Sequence, residues 1–358
     1  RLSIIYYSEA ILFYIRKKHI HETMRITYIF RTQSKQRSIE RVFEPIIETM
    51  KAEGHEVDVE FTVQGRGFIH TLWKNMWHFR KISKHRICHI TGDVQYVACL
   101  MNPKNTILTI HDLVPLHNPK VPWYSKWLCY WLWYYFPLKR LKRVTCISEA
   151  TQQDLISFFP WAKNKITVVT NPVRSEFVNV PKDFNQECPI ILHIGTKTNK
   201  NLLRVVEALA GINCHLRVIG QIPNEEKEAL KRFHINFSNE EFVTDKQIVR
   251  EYENCEIVSF PSLCEGFGMP IIEGQTTGRA VLTSDLEPMK TVAGKNACLV
   301  DPYSVVSIRH GFLHLINDNK YRKLVALAGI ENAKIYTPQS ITNMYKKVYK
   351  ESCIISLS

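Results

Sequence analysis

The most informative part of this chain is Pro261-Ser262-Leu263-Cys264-Glu265-Gly266-Phe267-Gly268-Met269-Pro270-Ile271-Ile272-Glu273. It follows the apolar run 256–261, which is typical of a short buried strand. Gly266 and Gly268 allow the backbone to approach a ligand closely, and Pro270 suits the first turn of a helix. The stretch therefore predicts a strand, a glycine turn and a helix start, whose N–H groups and dipole favour an anion such as a diphosphate.

Two carboxylates flank this predicted anion site. Glu265 lies in the turn, and Glu273 lies on the first part of the helix. Carboxylates beside a phosphate site make sense where they accept hydrogen bonds from hydroxyl groups, which is the chemistry of ribose and sugar recognition. A sugar nucleotide carries both hydroxyl sets and a diphosphate between them. The alternative is an ordinary strand-to-helix connection with two surface glutamates.

The run 261–273 resembles the signature of the retaining, family-four glycosyltransferases, in which seven residues separate two glutamates, as they do here. The resemblance extends from Met24 to about Tyr349 and is densest in the second half of the chain. It implies an α/β protein of the GT-B fold, with two Rossmann-like domains whose parallel sheets face a cleft. It also implies transfer of a sugar from a nucleotide-diphosphate donor with retention at the anomeric carbon, and no metal or other cofactor.

The composition fits two globular domains, because the chain has 358 residues, of which 45% are hydrophobic and 23% are charged. Ten cysteines occur without a Cys-x-x-Cys pair or a cluster at zinc spacing. Neither a structural metal nor a disulfide framework is therefore indicated. Reduced thiols and a cytoplasmic location are expected.

The chain is basic, with a formal net charge of +13. This charge favours anionic partners, namely nucleotide phosphates, an anionic membrane leaflet or nucleic acid. No zinc-finger, KH or RRM signature occurs, and the basic residues are dispersed along the chain. We therefore expect no nucleic-acid partner.

Short apolar runs alternate with helical patterns in two series, which predicts two mostly parallel sheets covered by helices. The first series occupies residues 24–175 and the second 189–335, and a proline-containing linker, 176–188, joins them. The last segment, 336–358, contains a helix near 338–352, which the resemblance predicts to pack back on the first domain. Strands are predicted at 25–30, 56–61, 87–90, 106–110, 144–147, 166–169, 190–195, 216–220, 241–243, 257–260, 280–283 and 297–300.

The first 23 residues do not fit the alternating pattern. Residues 2–15 are mostly apolar but too short to span a bilayer comfortably, and they lack the order of a signal peptide. A Rossmann-like first strand opens at Met24. Residues 1–23 are therefore predicted to be an N-terminal extension outside the fold, and an amphipathic membrane anchor is the competing interpretation.

A second loop is predicted to face the same cleft as the glutamate turn. The strand ending at Ile194 leads into 195–201, and ligands of parallel sheets bind beyond the carboxyl ends of the strands. The loop resembles the family's glycine-to-lysine loop, which implies that Lys200 neutralises the departing diphosphate. Many members also carry an arginine there, whereas this chain has Thr196, Lys197 and Asn199. Assistance from Lys197, a weaker phosphate site, and a solvated loop with two lysines all remain open.

The first half of the chain contributes a histidine to the predicted cleft. His111 follows the strand 106–110, and in similar glycosyltransferases a histidine at this place lies near the donor sugar. The resemblance thus implies a hydrogen bond from His111 to a sugar hydroxyl, with Asp112 capping the next turn. The alternative is a local capping or core contact.

The resemblance as a whole implies a site without metal ligands. His111, Lys200 and Glu265 are the implied catalytic residues, and Glu265 is not assigned as a nucleophile. Glu273 is implied to hold the ribose hydroxyls. Two strand ends, at Gly220 and Val243, are expected near the nucleobase. The implied donor-binding residues are Gly195, Thr196, Lys197, Gly220, Val243, Gly266, Phe267, Gly268, Met269 and Glu273.

One stretch has two interpretations. Residues 121–143 combine aromatic side chains with a Lys-Arg cluster, which suits an anionic membrane surface. Aromatic residues at helical spacing are also typical of an ordinary core helix. The basic surface favours a glycan or lipid-linked acceptor in surface polysaccharide or lipopolysaccharide biosynthesis, with the protein peripheral on the inner face of the cell membrane. The alternative function is a catalytically inactive GT-B scaffold that binds carbohydrate or membrane.

Overall fold

A computed structural model describes residues 23–32, 38–295 and 297–354. The predicted N-terminal extension, 1–23, lies outside the described residues except for its last residue. Two six-stranded sheets, each entirely parallel, organise the described chain. We call the parts built on them the first and the second domain.

The first sheet has the strand order β2-β1-β3-β4-β5-β6. Helices and strands alternate along the chain, as the sequence predicts. The strands are β1 (Arg25–Phe30), β2 (Glu56–Phe61), β3 (Ile87–Ile90), β4 (Thr106–Ile110), β5 (Arg143–Cys146) and β6 (Ile166–Val168). The helices are α1 (Ser38–Ala52), α2 (Phe68–Ile82), α3 (Val114–His117), α4 (Trp123–Cys129), α5 (Phe136–Arg140) and α6 (Glu149–Phe158), with 3-10 turns at Gln95–Cys99 and Pro160–Lys165 and a π-helical turn at Tyr130–Tyr135.

The second sheet has the order β12-β11-β10-β7-β8-β9. The chain reaches it after a stretch, 169–189, that contains neither helix nor strand. The strands are β7 (Ile190–Ile194), β8 (His215–Ile219), β9 (Phe237–Glu240), β10 (Ile257–Phe260), β11 (Ala280–Ser284) and β12 (Cys298–Val300). The helices are α7 (Leu202–Leu209), α8 (Asn224–Arg232), α9 (Asp245–Asn254), α10 (Met269–Thr276), α11 (Met289–Ala293), α12 (Val305–Asn317), α13 (Asn319–Ala333) and α14 (Pro338–Ile354), with 3-10 turns at Thr198–Lys200 and Lys334–Tyr336.

One predicted strand is wrong. The sequence predicts a strand at 241–243, whereas β9 lies earlier and ends at Glu240. β9 is an edge strand that pairs only with β8, so its Phe-Ser-Asn-Glu sequence carries no continuous apolar run to mark it. Phe242, which suggested the strand, is 88% exposed.

The sheet orders place two crevices at the cleft. In the second sheet the chain moves from β7 to β8 and β9 on one side, and then starts β10 on the other side of β7. Loops that leave such neighbouring strands in opposite directions open a crevice at the carboxyl ends, where ligands of open α/β sheets bind. The loops after β7 and β10 are the two that the sequence predicts to bind the donor. In the first sheet the corresponding crevice lies between β1 and β3.

The C-terminal helix, α14, packs on the first domain. Tyr345 and Tyr349 are buried there in a core that contains Tyr28 and Phe43. The Tyr349 hydroxyl lies 2.6 Å from Nδ1 of His89 on β3. The chain thus returns from the second domain to the first, and buried polar contacts fix the position of the helix.

Candidate active site

An ion pair joins the two predicted donor loops. Lys200 Nζ lies 2.6 Å from Glu265 Oε1, and Asn199 Nδ2 donates to the same carboxylate oxygen at 3.1 Å. Both charged side chains are largely buried, with 20% and 14% of their area exposed. Lys200 Nζ also lies 4.7 Å from the centre of the Phe260 ring, at the end of β10. The positive charge is therefore held in a fixed position at the crevice of the second sheet.

Glycines let the loops come this close. Gly195 has φ +87°, and a Cβ added to it would lie 3.0 Å from Lys200 Cγ. Gly268 has φ +109° and immediately precedes α10, which carries Pro270 in its first turn. The Lys200 side chain therefore packs directly against the backbone of Gly195. Gly268 tolerates the left-handed region and thereby lets the start of α10 face the cleft.

Glu273 is buried, and it is held by a network that crosses the cleft and is partly exposed at its first-domain end. It accepts a hydrogen bond from the Tyr252 hydroxyl at 2.6 Å, and its other oxygen lies 3.5 Å from Arg174. Arg174 in turn pairs with Asp245 at 2.9 Å, and Arg41 of the first domain reaches Asp245 at 3.1 Å. Burial raises the pKa of Glu273, while the charge of Arg174 and the hydroxyl of Tyr252 oppose that rise.

A cavity of about 320 Å³ lies directly in front of Glu273. Its apolar wall includes residues at or after the ends of β7, β8 and β9 together with residues of α1, α9 and α10, and its polar wall includes Arg41, Arg174, Asp245 and Glu273. Such a combination of apolar walls and a few charged groups is typical of a small-molecule site. The lining residues are Ser38, Arg41, Val42, Arg174, Ile194, Ile219, Val243, Asp245, Ile248, Met269, Pro270 and Glu273.

His111 follows β4 on the first-domain side of the cleft. Its Nε2 lies 2.7 Å from the carbonyl oxygen of Thr91, which can only accept, so Nε2 carries the proton. Burial lowers the pKa of His111 more than that carbonyl and nearby carboxylates raise it. The ring is therefore neutral near pH 7, with Nδ1 as its hydrogen-bond acceptor.

The glycine turn touches the first domain. A Cβ added to Gly266 would lie 3.0 Å from the carbonyl oxygen of His111. The Ser148 hydroxyl accepts from the Thr151 amide as the N-cap of α6, and it also donates to the Gly266 carbonyl at 3.0 Å. The second contact brings Glu265, Lys200 and His111 to one end of the cleft.

A second cavity, of about 130 Å³, lies on the other side of His111 in the first domain. Gln95 lines it, is 95% buried, and places its Oε1 where no hydrogen-bond partner is found among the described residues. Trp133 lines the same cavity and donates its indole N–H to the Asp93 carbonyl at 2.9 Å. The lining residues are Asp93, Gln95, His111, Asp112, Pro115, Cys129, Trp133 and Tyr134.

The predicted donor-binding residues do not all play the same part. Gly220, with φ +126°, packs against Thr196, whose hydroxyl donates to the Gln221 carbonyl at 2.5 Å. Lys197 is exposed, whereas Lys200 makes the ion pair. The Phe267 side chain lies in the core and packs edge-on against Tyr336 at 5.7 Å between ring centres.

Several residues of the site do not follow from the sequence, among them Arg174, Tyr252 and Gln95. Arg174 supports Glu273 from the irregular stretch after β6, Tyr252 supports it from α9, and Gln95 lines the second cavity. Each belongs to a segment without a binding motif. The one sign of Arg174 in the sequence is a charged residue within the run 166–175, which is otherwise uncharged.

Two other kinds of feature are absent from residues 23–32, 38–295 and 297–354. No three His, Cys, Asp or Glu side chains are grouped closely enough to bind a metal ion. No helix there combines the length and the apolar character needed to cross a bilayer.

Comparisons with known proteins match both domains. The profile of "Glycosyltransferase Family 4" matches residues 51–177, and that of "Glycosyl transferases group 1" matches residues 176–331. The chain is 24% identical over 268 residues to the Escherichia coli serotype-specific mannosyltransferase WbdA, covering 65% of this chain and 32% of WbdA. It is 22% identical over 276 residues to the E. coli O-antigen chain mannosyltransferase B, covering 69% and 70%. The chain thus spans about a third of the length of WbdA.

The structure resembles that of Anabaena HepE in complex with UDP and glucose. The TM-score is 0.72 at 14% sequence identity, and the alignment covers 91% of this chain and 99% of HepE. At this identity the likeness concerns the fold alone. It confirms the GT-B architecture that the sequence predicts.

Proposed function

This chain belongs to the group 1, family-four glycosyltransferases, and from that premise we propose that it transfers a hexosyl group from a nucleotide-diphosphate sugar with retention at the anomeric carbon. The acceptor is a glycan or a lipid-linked glycan of surface polysaccharide or lipopolysaccharide biosynthesis. The observation that carries the proposal is the fixed Lys200–Glu265 pair, at 2.6 Å, where the two donor loops of the second sheet meet.

Lys200 stabilises the departing diphosphate. Its charge is partly desolvated and already positioned, so it interacts with developing negative charge without reorganisation. The backbone N–H groups from Gly266 to Gly268, at the start of α10, add to the same field. Because these groups supply the positive charge, we propose that the reaction needs no divalent metal. Activity that survives a chelator supports this, and activity that requires added Mg²⁺ or Mn²⁺ contradicts it.

Glu265 binds hydroxyl groups of the donor sugar and does not act as a nucleophile. Its carboxylate is already engaged by Lys200 and Asn199, which lowers its nucleophilicity. Retention then follows from attack of the acceptor on the face that the diphosphate leaves, with a diphosphate oxygen taking the acceptor proton. An NMR assignment of the new glycosidic linkage, compared with the anomer of the donor, tests this step.

The cavity in front of Glu273 holds the nucleoside. Ile194, Ile219 and Val243 offer apolar surface to a nucleobase, and Glu273 accepts from the ribose hydroxyls. The names of the E. coli relatives favour a mannosyl donor, whereas the HepE complex contains UDP and glucose. We therefore place mannose and glucose nucleotides first among donors.

The second cavity receives the acceptor. It has carboxylate, amide and aromatic groups around a small volume beside His111, which suits the hydroxyls and the apolar face of one sugar ring. Gln95 Oε1 then accepts from an acceptor hydroxyl. His111 Nδ1 accepts from a hydroxyl of the donor sugar on the opposite side.

Nucleotide-diphosphate release from a panel of UDP-, GDP- and ADP-sugars tests the proposal, with extracted bacterial lipid-linked glycans as acceptor. Release from one donor by the wild type, lost in Glu273→Ala, supports it. If no donor is turned over and none raises the melting temperature, the inactive scaffold is the better account. The exposed Glu225→Ala serves as the matched control.

A further inference from the structure

Helix α2 exposes a stripe of large apolar side chains that the transfer reaction does not use. Ile69, Trp73 and Trp77 are spaced four residues apart, so they lie on one face of the helix. They are 70%, 51% and 49% exposed. Neighbouring large apolar side chains this open on one helix face mark an interaction surface.

The aromatic segment that the sequence singles out adjoins this helix. Trp123, Tyr124 and Trp127 of α4 are 78%, 61% and 60% exposed. Phe68, at the start of α2, stacks on Trp133 of the π-helical turn that follows α4. The ring centres are 6.5 Å apart, and the angle between the ring planes is 14°. The two exposed surfaces thus belong to neighbouring elements of the first domain.

Charge adds a second, independent observation. No Asp or Glu occurs between Glu60 and Asp93, or between Asp112 and Glu149, although α2, α4 and α5 lie in these two stretches. The guanidinium of Arg80 lies 4.9 Å from the centre of the Trp77 ring. Both stretches therefore contribute basic but no acidic side chains, while Glu60, just outside the first stretch, lies 3.7 Å from His78 of α2. The exposed basic residues there include Lys74, Arg80, Lys81, Lys84, Lys139, Arg140 and Lys142.

We propose that α2 and α4 together dock the protein on an anionic lipid bilayer, with α2 lying in the plane of the interface. Tryptophan rings favour the headgroup level, and lysine and arginine side chains are attracted to anionic headgroups. With 15 residues, α2 is about 22 Å long, which is too short to cross a hydrocarbon core of about 30 Å. An in-plane position exposes its aromatic face to lipid while its buried face stays on the domain.

Docking in this position serves the proposed transfer to a lipid-linked acceptor, and this consequence rests on the proposed function. Trp133 both stacks on Phe68 of the docking surface and lines the cavity beside His111. The acceptor cavity therefore opens next to the lipid headgroups. A glycan attached to a membrane lipid then reaches His111 and Gln95 without leaving the bilayer.

Flotation of the full chain with vesicles tests the docking surface. The wild type is expected to float with vesicles of phosphatidylcholine and phosphatidylglycerol, to float much less with phosphatidylcholine alone, and to release at high salt. Trp73→Ser with Trp77→Ser lowers the partition coefficient by about tenfold or more, from lost apolar burial. The double substitution Lys74→Ser with Lys81→Ser lowers the partition coefficient by about 30-fold, because the attraction of two positive charges to the anionic headgroups is lost.

The matched control replaces two exposed aromatic residues of the second domain. Phe242→Ser with Tyr303→Ser, at positions 88% and 61% exposed, leaves flotation unchanged. Equal melting temperatures show that each variant is folded. If a variant does not fold, the docking surface is tested on the wild-type protein instead. Brominated lipid is then expected to quench its tryptophan fluorescence strongly.

Several results overturn the proposal. The proposal is wrong if the wild-type protein does not bind anionic vesicles. It is also wrong if the tryptophan double variant floats as well as the wild type. Dissociation of an oligomer by that variant, with vesicle binding kept, assigns the face to a second copy instead. Donor hydrolysis without vesicles is measured in parallel: vesicle binding without any hydrolysis contradicts only the proposed function, and hydrolysis without vesicle binding contradicts only the docking surface.

Discussion

The two walls of the cleft are built in different ways. The donor wall comes from two short loops, 195–201 and 261–268, and from the helix that follows the second loop. The first-domain wall is assembled from residues as far apart as Asp93 and Tyr134. On the donor side, the strand order of the sheet brings the loops together. On the first-domain side, a cavity forms between the 3-10 turn Gln95–Cys99 and the aromatic π-helical turn Tyr130–Tyr135.

Because the two walls carry different groups, we expect them to contribute differently to catalysis and to acceptor binding. The donor wall holds a fixed charge pair and a buried carboxylate, so changes there affect the common chemistry of transfer. The first-domain wall holds an amide, carboxylates and aromatic rings but no fixed cation among its described lining residues, so changes there affect which acceptor is used. Variants of the donor wall should therefore cost more activity than variants of the other wall.

The largest effect is expected for Lys200→Ala. Removal of a positioned charge from the departing diphosphate lowers kcat by about 10²–10³-fold. Nucleotide-diphosphate release at saturating donor measures it. Lys197→Ala, in the same loop but exposed, should lose far less activity, and Lys227→Ala on α8 is the control outside the cleft. Equal losses in the two loop variants would mean that the phosphate site is shared and that the Lys200–Glu265 pair is not the decisive feature.

A smaller loss is expected for Glu273→Gln. The neutral amide keeps the size of the side chain but loses a charged hydrogen bond to ribose, which raises the donor KM by about 10–100-fold. Calorimetric titration with the nucleotide diphosphate measures the affinity directly. Glu225→Gln, an exposed substitution on α8, is the matched control. An unchanged donor affinity would remove Glu273 from the nucleoside site.

The same carboxylate predicts a pH dependence. Burial raises the pKa of Glu273, so the group takes up a proton at a higher pH than an exposed glutamate does. The ionised form is the hydrogen-bond acceptor. Donor affinity of the wild type therefore falls as the pH is lowered through that raised pKa, and this step is absent in Glu273→Gln. A step that persists in the variant belongs to another group.

The sequence predicts the donor wall better than it predicts the first-domain wall. The strands of both sheets and the donor loops are readable because an apolar run followed by a glycine turn is a local pattern, and parallel strands end at one edge. The edge strand β9 was misplaced because a strand with one neighbour needs no apolar run. Arg174 and Tyr252 could not be found, because each acts on Glu273, which is distant along the chain and lies 21 positions after Tyr252. Gln95 could not be found, because its role depends on a cavity whose walls extend to Trp133 and Tyr134.

The smallest effect is expected on the first-domain wall, for Gln95→Met. The substitution keeps the volume and removes a neutral hydrogen bond to the acceptor, which raises the acceptor KM by about 3–10-fold. Hydrolysis of the donor in the absence of acceptor should not change, because the donor loops are untouched. Gln153→Met, exposed on α6, is the control. If Gln95→Met slows donor hydrolysis as much as transfer, the cavity beside His111 acts on the donor, and the division between the two walls does not hold.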